Sequence, residues 1–351
     1  MPAHPLRYPA PLCPGARIAV TAPSSGVEPP LHPRLDLVMG HLRAQGFVVE
    51  EGACLRAETA SASAPADARA AELMRFLLRD DVDAVFPPWG GELAIELLDR
   101  LDWAALAQAR PTWLIGYSDT STLQLALLLR LGWAVAHGPC LMDLAPGQTD
   151  ALTRHALSHL ATPAGGDFVQ RSSTHWQLTW TDFAQVPDTT YTLTEPTRWH
   201  CLSRAHGAEV VLRGRLVGGC LDTLVHLAGT AFGDVPGFVD AHRADGTVLF
   251  LENAELSPTA LVRALHRLRW AGWFDGLAGL LVGRSAAPDT STAHQLRYAD
   301  ALASVLGGLP CPVLADVDIG HRPPQFMLVG GALAEVGWST ADGGTVHQRL
   351  S

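Results

Sequence analysis

The 351-residue chain has no lysine; all 25 of its basic residues are arginine. That excludes a Schiff-base lysine, a P-loop lysine and a Ser–Lys dyad. Its single asparagine, Asn253, stands in Asn-Ala-Glu, so the sequence offers no N-glycosylation acceptor. The six cysteines (Cys13, Cys54, Cys140, Cys201, Cys220 and Cys311) contain no Cys-x-x-Cys pair. In a chain of this length they need not form a disulfide framework, and they fit a reducing compartment. Positive charge is in the minority, 25 residues against 35 acidic ones for a net −10, which lacks the footprint of a nucleic-acid binder. No apolar run approaches the roughly 18–20 residues of a membrane span. The start, Met-Pro-Ala-His-Pro-Leu-Arg-Tyr-Pro, has no apolar core of signal-peptide length. The expectation is a soluble cytoplasmic protein with neither a membrane nor a nucleic-acid polymer as partner.

What is present is enough apolar material, 48% of residues, to bury a sizeable core. The length suits about two domains. Strand and helix patterns alternate through the first part. Arg17-Ile-Ala-Val-Thr-Ala-Pro reads as a strand, 35–45 as a helix ending at Gly46, and Phe47-Val-Val-Glu as a second strand. A helix over 66–79 follows, then a strand over 82–86, a helix over 92–101, a strand over 111–117 and a strongly apolar helix over 120–131. That alternation implies a parallel sheet covered on both faces. Periodicity lapses over 162–212, where Trp176, Trp180 and Trp199 lie among Ser, Thr, Asp and Pro. Long connections of this kind often carry function. Short strands resume from Gly214, with Val248-Leu-Phe-Leu-Glu252 buried in character and a helix capped by Ser257 and Pro258. The expected division is an α/β domain over 1–165, a connecting and substrate loop over 166–212 and a β-rich domain over 213–351.

Ser118 lies where an apolar strand turns directly into an apolar helix, in Gly116-Tyr-Ser118-Asp-Thr120. A nucleophile elbow has that context: the turn exposes the hydroxyl and the helix start aims N–H groups at it. The second elbow glycine is replaced by Thr120, and the same serine would also suit an ordinary N-cap. Ser24 and Ser25 are rivals without a directly entered helix. A serine needs a base, and the base an orienting acid. Of fifteen histidines, His321 is best placed, ending Asp318-Ile-Gly-His on a glycine turn. Glu252 closes the buried strand, where a carboxylate needs a partner, structural or catalytic. The backbone N–H of Asp119 and of the Gly90-Gly91 pair would supply oxyanion donors. His155 and His159, four apart on a plausible helix, suggest a metal site, but no glutamate neighbours the first and no third ligand stands out.

Taken in order, Trp89-Gly-Gly-Glu92, Gly116-Tyr-Ser-Asp119, His137-Gly-Pro139, Gly218-Gly-Cys-Leu-Asp222, Leu249-Phe-Leu-Glu252 and Asp318-Ile-Gly-His321 resemble the serine peptidase family of LD-carboxypeptidases and microcin C immunity proteins. The resemblance spans nearly the whole chain. It implies a flavodoxin-like parallel-sheet N-terminal domain, a smaller β-rich α/β C-terminal domain, a site between them and a homodimer. It places a Ser–His–Glu triad on Ser118, His321 and Glu252, with oxyanion donors at Gly91 and Asp119 and no cofactor or metal.

The two branches differ in substrate: LD-carboxypeptidases trim cell-wall tetrapeptides, and the immunity proteins cut peptidyl- or aminoacyl-nucleotide amides. Trp89, Glu92 and the tryptophans of the long connection lean toward the immunity branch. Trp89, Gly90, Glu92, Trp176 and Trp180 are the expected substrate contacts, with an aromatic residue stacking on a base. Some members of that branch place a lysine near the nucleotide, which this chain does not possess. The competing readings are an LD-carboxypeptidase, a metal hydrolase, an ester hydrolase of α/β-hydrolase type and a non-catalytic binding protein on the same fold.

Overall fold

The computed structural model describes residues 5–180, 182–203, 209–290, 292 and 294–351. The first four residues of the stretch read above for a leader lie outside them. The N-terminal part runs β1 (Arg17–Val20), α1 (His32–Ala44), β2 (Val48–Glu51), α2 (Ala66–Leu77), β3 (Ala84–Val85), α3 (Trp103–Gln108), β4 (Trp113–Gly116), α4 (Thr120–Leu131) and β5 (Val135–His137). Its strands lie in the order β2-β1-β3-β4-β5, every pair parallel. This is the flavodoxin-like order, which opens a crevice at the carboxyl ends of β1 and β3 where the chain reverses direction across the sheet.

The chain continues through α5 (Ala151–Arg154), α6 (Ala156–His159), β6 (Asp167–Arg171), β7 (His175–Trp176), β8 (Glu195–Pro196), β9 (His200–Cys201) and the long β10 (Glu209–Cys220). Then come α7 (Leu221–Leu224), α8 (Val235–Ala241), β11 (Thr247–Glu252), α9 (Pro258–Trp270), β12 (Gly279–Gly283), α10 (Tyr298–Leu306) and β13 (Val313–Val317). The last strands are β14 (Leu328–Gly330), β15 (Leu333–Ser339) and β16 (Gly343–Arg349). The second sheet is ordered β6-β16-β15-β10-β11-β12-β13-β9, with β10 to β13 parallel at its centre and antiparallel strands outside. All six residues of β11 are buried, as a central parallel strand covered on both faces requires.

The two sheets are joined closely. β14, late in the chain, adds antiparallel to β5 at the edge of the first sheet. Helix α4 packs on β4 and β5 of its own sheet and on β10 and α7 of the other, which is why it is apolar nearly all round. It stops at Gly132, whose φ of 66° is the left-handed cap a glycine adopts freely.

Two expectations change. The stretch 92–101 forms only a short 3₁₀ turn at Ala94–Leu97, because the N–H groups at its start are held by side chains: Leu93 N–H donates to Ser24 Oγ and Ala94 N–H to Asp119 Oδ2. The connection over 162–212 is not structureless. It supplies an edge strand to each side of the second sheet, β6 against β16 and β9 against β13, and β10 begins at Glu209 within it. Edge strands this short, with one face in solvent, leave little periodic signal.

Candidate active site

The carboxyl ends of strands from both sheets meet at one point. Ser118 follows β4 and sits at φ 60°, a left-handed conformation that costs a residue with a Cβ about 1–2 kcal/mol. The strain turns the chain from strand to helix within two residues and leaves the serine partly exposed at the foot of α4. Glu252 is the last residue of β11, and its cross-strand partner is Cys220, the last of β10. His321 lies on the loop after β13. The imidazole bridges the two: Nδ1–H donates to Glu252 Oε2 at 2.8 Å, and Nε2 accepts from the Ser118 hydroxyl at 3.1 Å. Gly320 permits this approach, since a Cβ there would fall 2.5 Å from Glu252 Oε2.

Burial and pairing compete at Glu252 and His321. Burial pushes the Glu252 carboxyl up, but the charge of His321 and its hydrogen bond pull harder, and the net direction is below the ordinary glutamate value. Burial pulls His321 down, the Glu252 charge and hydrogen bond lift it, and the net direction is up. The Tyr117 ring stands edge-on to the imidazole, with centroids 4.8 Å apart, and limits its rotation. Behind it His137 is buried with neither ring nitrogen bonded among the described residues, and burial holds it down at about 4.

The two N–H groups expected to serve as oxyanion donors lie beside the serine. Neither Gly91 N–H nor Asp119 N–H donates to a protein acceptor among the described residues, and both residues line the cavity in front of Ser118. Gly90 lets the two loops close on each other: a Cβ there would stand 2.7 Å from Asp119 N and 2.9 Å from Ser118 Oγ. The Asp119 carboxylate is buried and accepts from Ser24 Oγ at 2.6 Å, Ala94 N at 2.7 Å and Thr122 Oγ1 at 3.2 Å. Ser24, one rival nucleophile, is thereby a brace for the turn after Ser118; Ser25 lines the cavity.

That cavity encloses about 650 Å³ between the two sheets. Of the expected substrate contacts, Glu92 lines it and Gly90 does not, while Trp89 turns away, its indole N–H shared between the carbonyls of Ser25 and Gly26 at 3.1 Å each. Trp176 lines a separate cavity of about 340 Å³ with Arg198, Arg284 and Tyr298. Trp180 stands edge-on to Phe183 and Tyr191 and is 43% exposed. His155 caps α6 and His159 stacks on Phe168; among the described residues the only group of three with metal-ligating atoms close together is Cys220, Glu252 and His321. Sequence reasoning passed over Glu58, Thr122, Thr223, His226 and Glu255, which also line the cavity. They stand on loops and helix starts outside the ordered motifs, where no spacing marks them. Cys220 and Asp222 were within reach, in Gly218-Gly-Cys-Leu-Asp.

The sequence matches the LD-carboxypeptidase N-terminal domain over residues 18–138 and the LD-carboxypeptidase C-terminal domain over residues 213–336. The chain belongs to the LD-carboxypeptidase family of peptidases. A putative carboxypeptidase of Streptomyces coelicolor is 33% identical over 96% of this chain and 94% of its own length. The microcin C7 self-immunity protein MccF of Escherichia coli is 23% identical over 99% of this chain and 98% of its own. Among solved structures, MccF in complex with glutamyl sulfamoyl guanosine superposes with a TM-score of 0.80 at 21% identity, covering 97% of this chain and 98% of that one. An MccF-like protein from Bacillus anthracis gives 0.81 at 21% identity, covering 98% and 99%. These structures share the mixed α/β fold, a parallel-sheet N-terminal region followed by a second, sheet-rich domain. No helix among the described residues is long and apolar enough to cross a membrane.

Proposed function

We propose that this LD-carboxypeptidase family member is a serine amide hydrolase acting on an aminoacyl- or peptidyl-nucleotide-like substrate. The observation that carries the reading is the chain of contacts from Glu252 through His321 to Ser118, at 2.8 and 3.1 Å. As the hydroxyl attacks the amide carbonyl, its proton passes to His321 Nε2. Glu252 holds the ring with Nδ1 protonated and balances the imidazolium that forms. The N–H groups of Gly91 and Asp119 receive the oxyanion, His321 returns the proton to the leaving amine, and water resolves the acyl-enzyme.

The cavity walls bear on the substrate. Glu58, Glu92, Asp222 and Glu255 line it, none in an ion pair among the described residues, and no arginine joins them. Such walls favour a free ammonium beside the scissile carbonyl and oppose a bare terminal carboxylate. That supports an aminoacyl amide over a tetrapeptide ending in a carboxylate. MccF has been solved with glutamyl sulfamoyl guanosine and aspartyl sulfamoyl adenosine. The second reading, an LD-carboxypeptidase, draws on relatives such as the murein tetrapeptide carboxypeptidase of Pseudomonas aeruginosa, 26% identical over 72% of this chain. A mass-spectrometric comparison of an aminoacyl sulfamoyl adenosine with an L,D-tetrapeptide decides between them, with Ser118→Ala as the control. Cleavage of the first alone is expected. Cleavage of the tetrapeptide alone moves the chain to the second reading, and equal turnover by the control ends both.

A further inference from the structure

His321 stands on the loop between β13 and β14, and that loop is gripped from behind by one buried ion pair. Asp318, fully buried, takes Arg284 Nη1 at 3.0 Å. Arg284 spends its other donors on the same loop: Nε at 3.3 Å and Nη2 at 3.0 Å reach the Arg322 carbonyl, and Nη2 reaches the Pro324 carbonyl at 2.7 Å. The imidazole is therefore bracketed, three residues after one anchor and one residue before the next. The remaining acceptor capacity of Asp318 goes to the long connecting segment: Trp199 Nε1–H donates at 2.8 Å, Ser173 N–H at 3.3 Å, and the Ser173 hydroxyl closely as well.

We infer that Asp318 and Arg284, with Trp199 behind them, are positioning residues that set the ring of His321 between Ser118 and Glu252, so that the connecting segment serves as the brace of the base. The physical reason is directional. Arginine presents a planar fork that meets one carboxylate and two carbonyls at once, whereas an ammonium cannot span all three. A buried ion pair adds little net stability over apolar packing, so its return lies in fixing geometry. Displacing a reacting group by about 1 Å can cost on the order of 100-fold in rate.

The inference rests on the hydrolase reading, and its test has one arm that does not. The first arm is the rate at which a fluorophosphonate labels Ser118 in the whole chain, for wild type, Arg284→Lys, Asp318→Asn and the milder Trp199→Phe. The second is the NMR resonance of the His321 Nδ1–H in each protein, assigned by its loss in His321→Gln. Arg284→Lys and Asp318→Asn should slow labelling about 10- to 100-fold, in the maximal rate rather than in half-saturation, and Trp199→Phe several-fold. Each should shift or broaden the Nδ1–H signal in protein that remains folded by circular dichroism. Labelling within twofold of wild type, with that signal unmoved, overturns the inference. If wild type is not labelled at all, the hydrolase reading fails, and the resonance alone decides the brace: movement upholds it and constancy rejects it. If the two charge variants do not fold, Trp199→Phe decides by the same two readouts.

Discussion

Ser118 and His321 are 203 positions apart in sequence, and their Oγ and Nε2 atoms are 3.1 Å apart in space. The serine belongs to the first sheet and the histidine to the second, so the contact depends on how the sheets are joined. Three features hold that joint: β14 completing the first sheet, α4 packed between both sheets, and Cys220 N–H donating to Ser121 Oγ at 3.1 Å, one turn of helix from Ser118.

The elbow at Ser118 makes a double prediction. Removing the hydroxyl in Ser118→Ala should lower turnover on the order of 10³-fold or more. Alanine keeps the strain of the φ 60° conformation, and glycine releases it. Ser118→Gly should therefore be more stable than Ser118→Ala by about 1 kcal/mol in urea unfolding, although both should lose turnover. Equal stability of the two would mean the turn is not strained.

Gly90 tests the approach of the two loops. In Gly90→Ala the new methyl meets Asp119 N and Ser118 Cβ at 2.7 Å, backbone and near-backbone atoms that cannot swing aside. Turnover should fall about 100-fold with little change in the far-ultraviolet spectrum. Unaltered kinetics would show that the elbow and the glycine loop can part without cost.

The fold was legible in the sequence where periodicity is strong. Helix α4 begins and ends where its apolar run does, and β11 reads as buried because every residue of it is. The candidate triad was legible because each member closes an apolar strand or follows a glycine turn, and because the ordered motifs resemble a known family. Trp176 and Trp180 show what was not legible. A tryptophan in a polar stretch does not state what it will meet, and here Arg284 and Arg322 lie over the Trp176 ring, while Phe183 and Tyr191 stand edge-on to Trp180 and leave it 43% exposed. The acidic cavity wall escaped for a related reason. Glu58 and Glu255 lie nearly two hundred residues apart on loops, and only the packing of the sheets brings them to one cavity.

The base must be neutral to accept the serine proton, and His321 is displaced upward from the ordinary 6.5 by Glu252. The acid limb of kcat/KM should therefore have its midpoint above pH 6.5 and move down in Glu252→Gln, whose turnover should also fall on the order of 10³-fold. A pH profile with an uncharged amide substrate checks both, and a wild-type midpoint below 6.5 contradicts the assignment. The same pair sets a stability window. The raised His321 contributes fully below pH 6.5, and its contribution fades as pH rises through the folded value. The lowered Glu252 contributes above 4.5, and its contribution fades as pH falls through its own folded value.

His137 gives the protein an acid sensitivity of the opposite origin. It is buried between the rings of Tyr117 and Phe250, and burial lowers it from 6.5 to about 4. The unfolded chain therefore takes up a proton near pH 6.5 that the folded chain refuses until about 4. Folding is favoured fully above 6.5, and that advantage drains away as pH falls between the two values, amounting to about 3 kcal/mol. His159, also lowered to about 4, and the weaker displacements at His41 and His242 act in the same direction. The His137 share must therefore be isolated by difference. Urea unfolding at several pH values between 7 and 4 should show a steeper loss of stability for wild type than for His137→Phe, which has no proton to take up and suits the aromatic surroundings. The slope is the quantity read, so any packing cost of the phenyl ring drops out. Parallel slopes in the two proteins would mean that the imidazole at 137 is already solvated or bonded in the folded state.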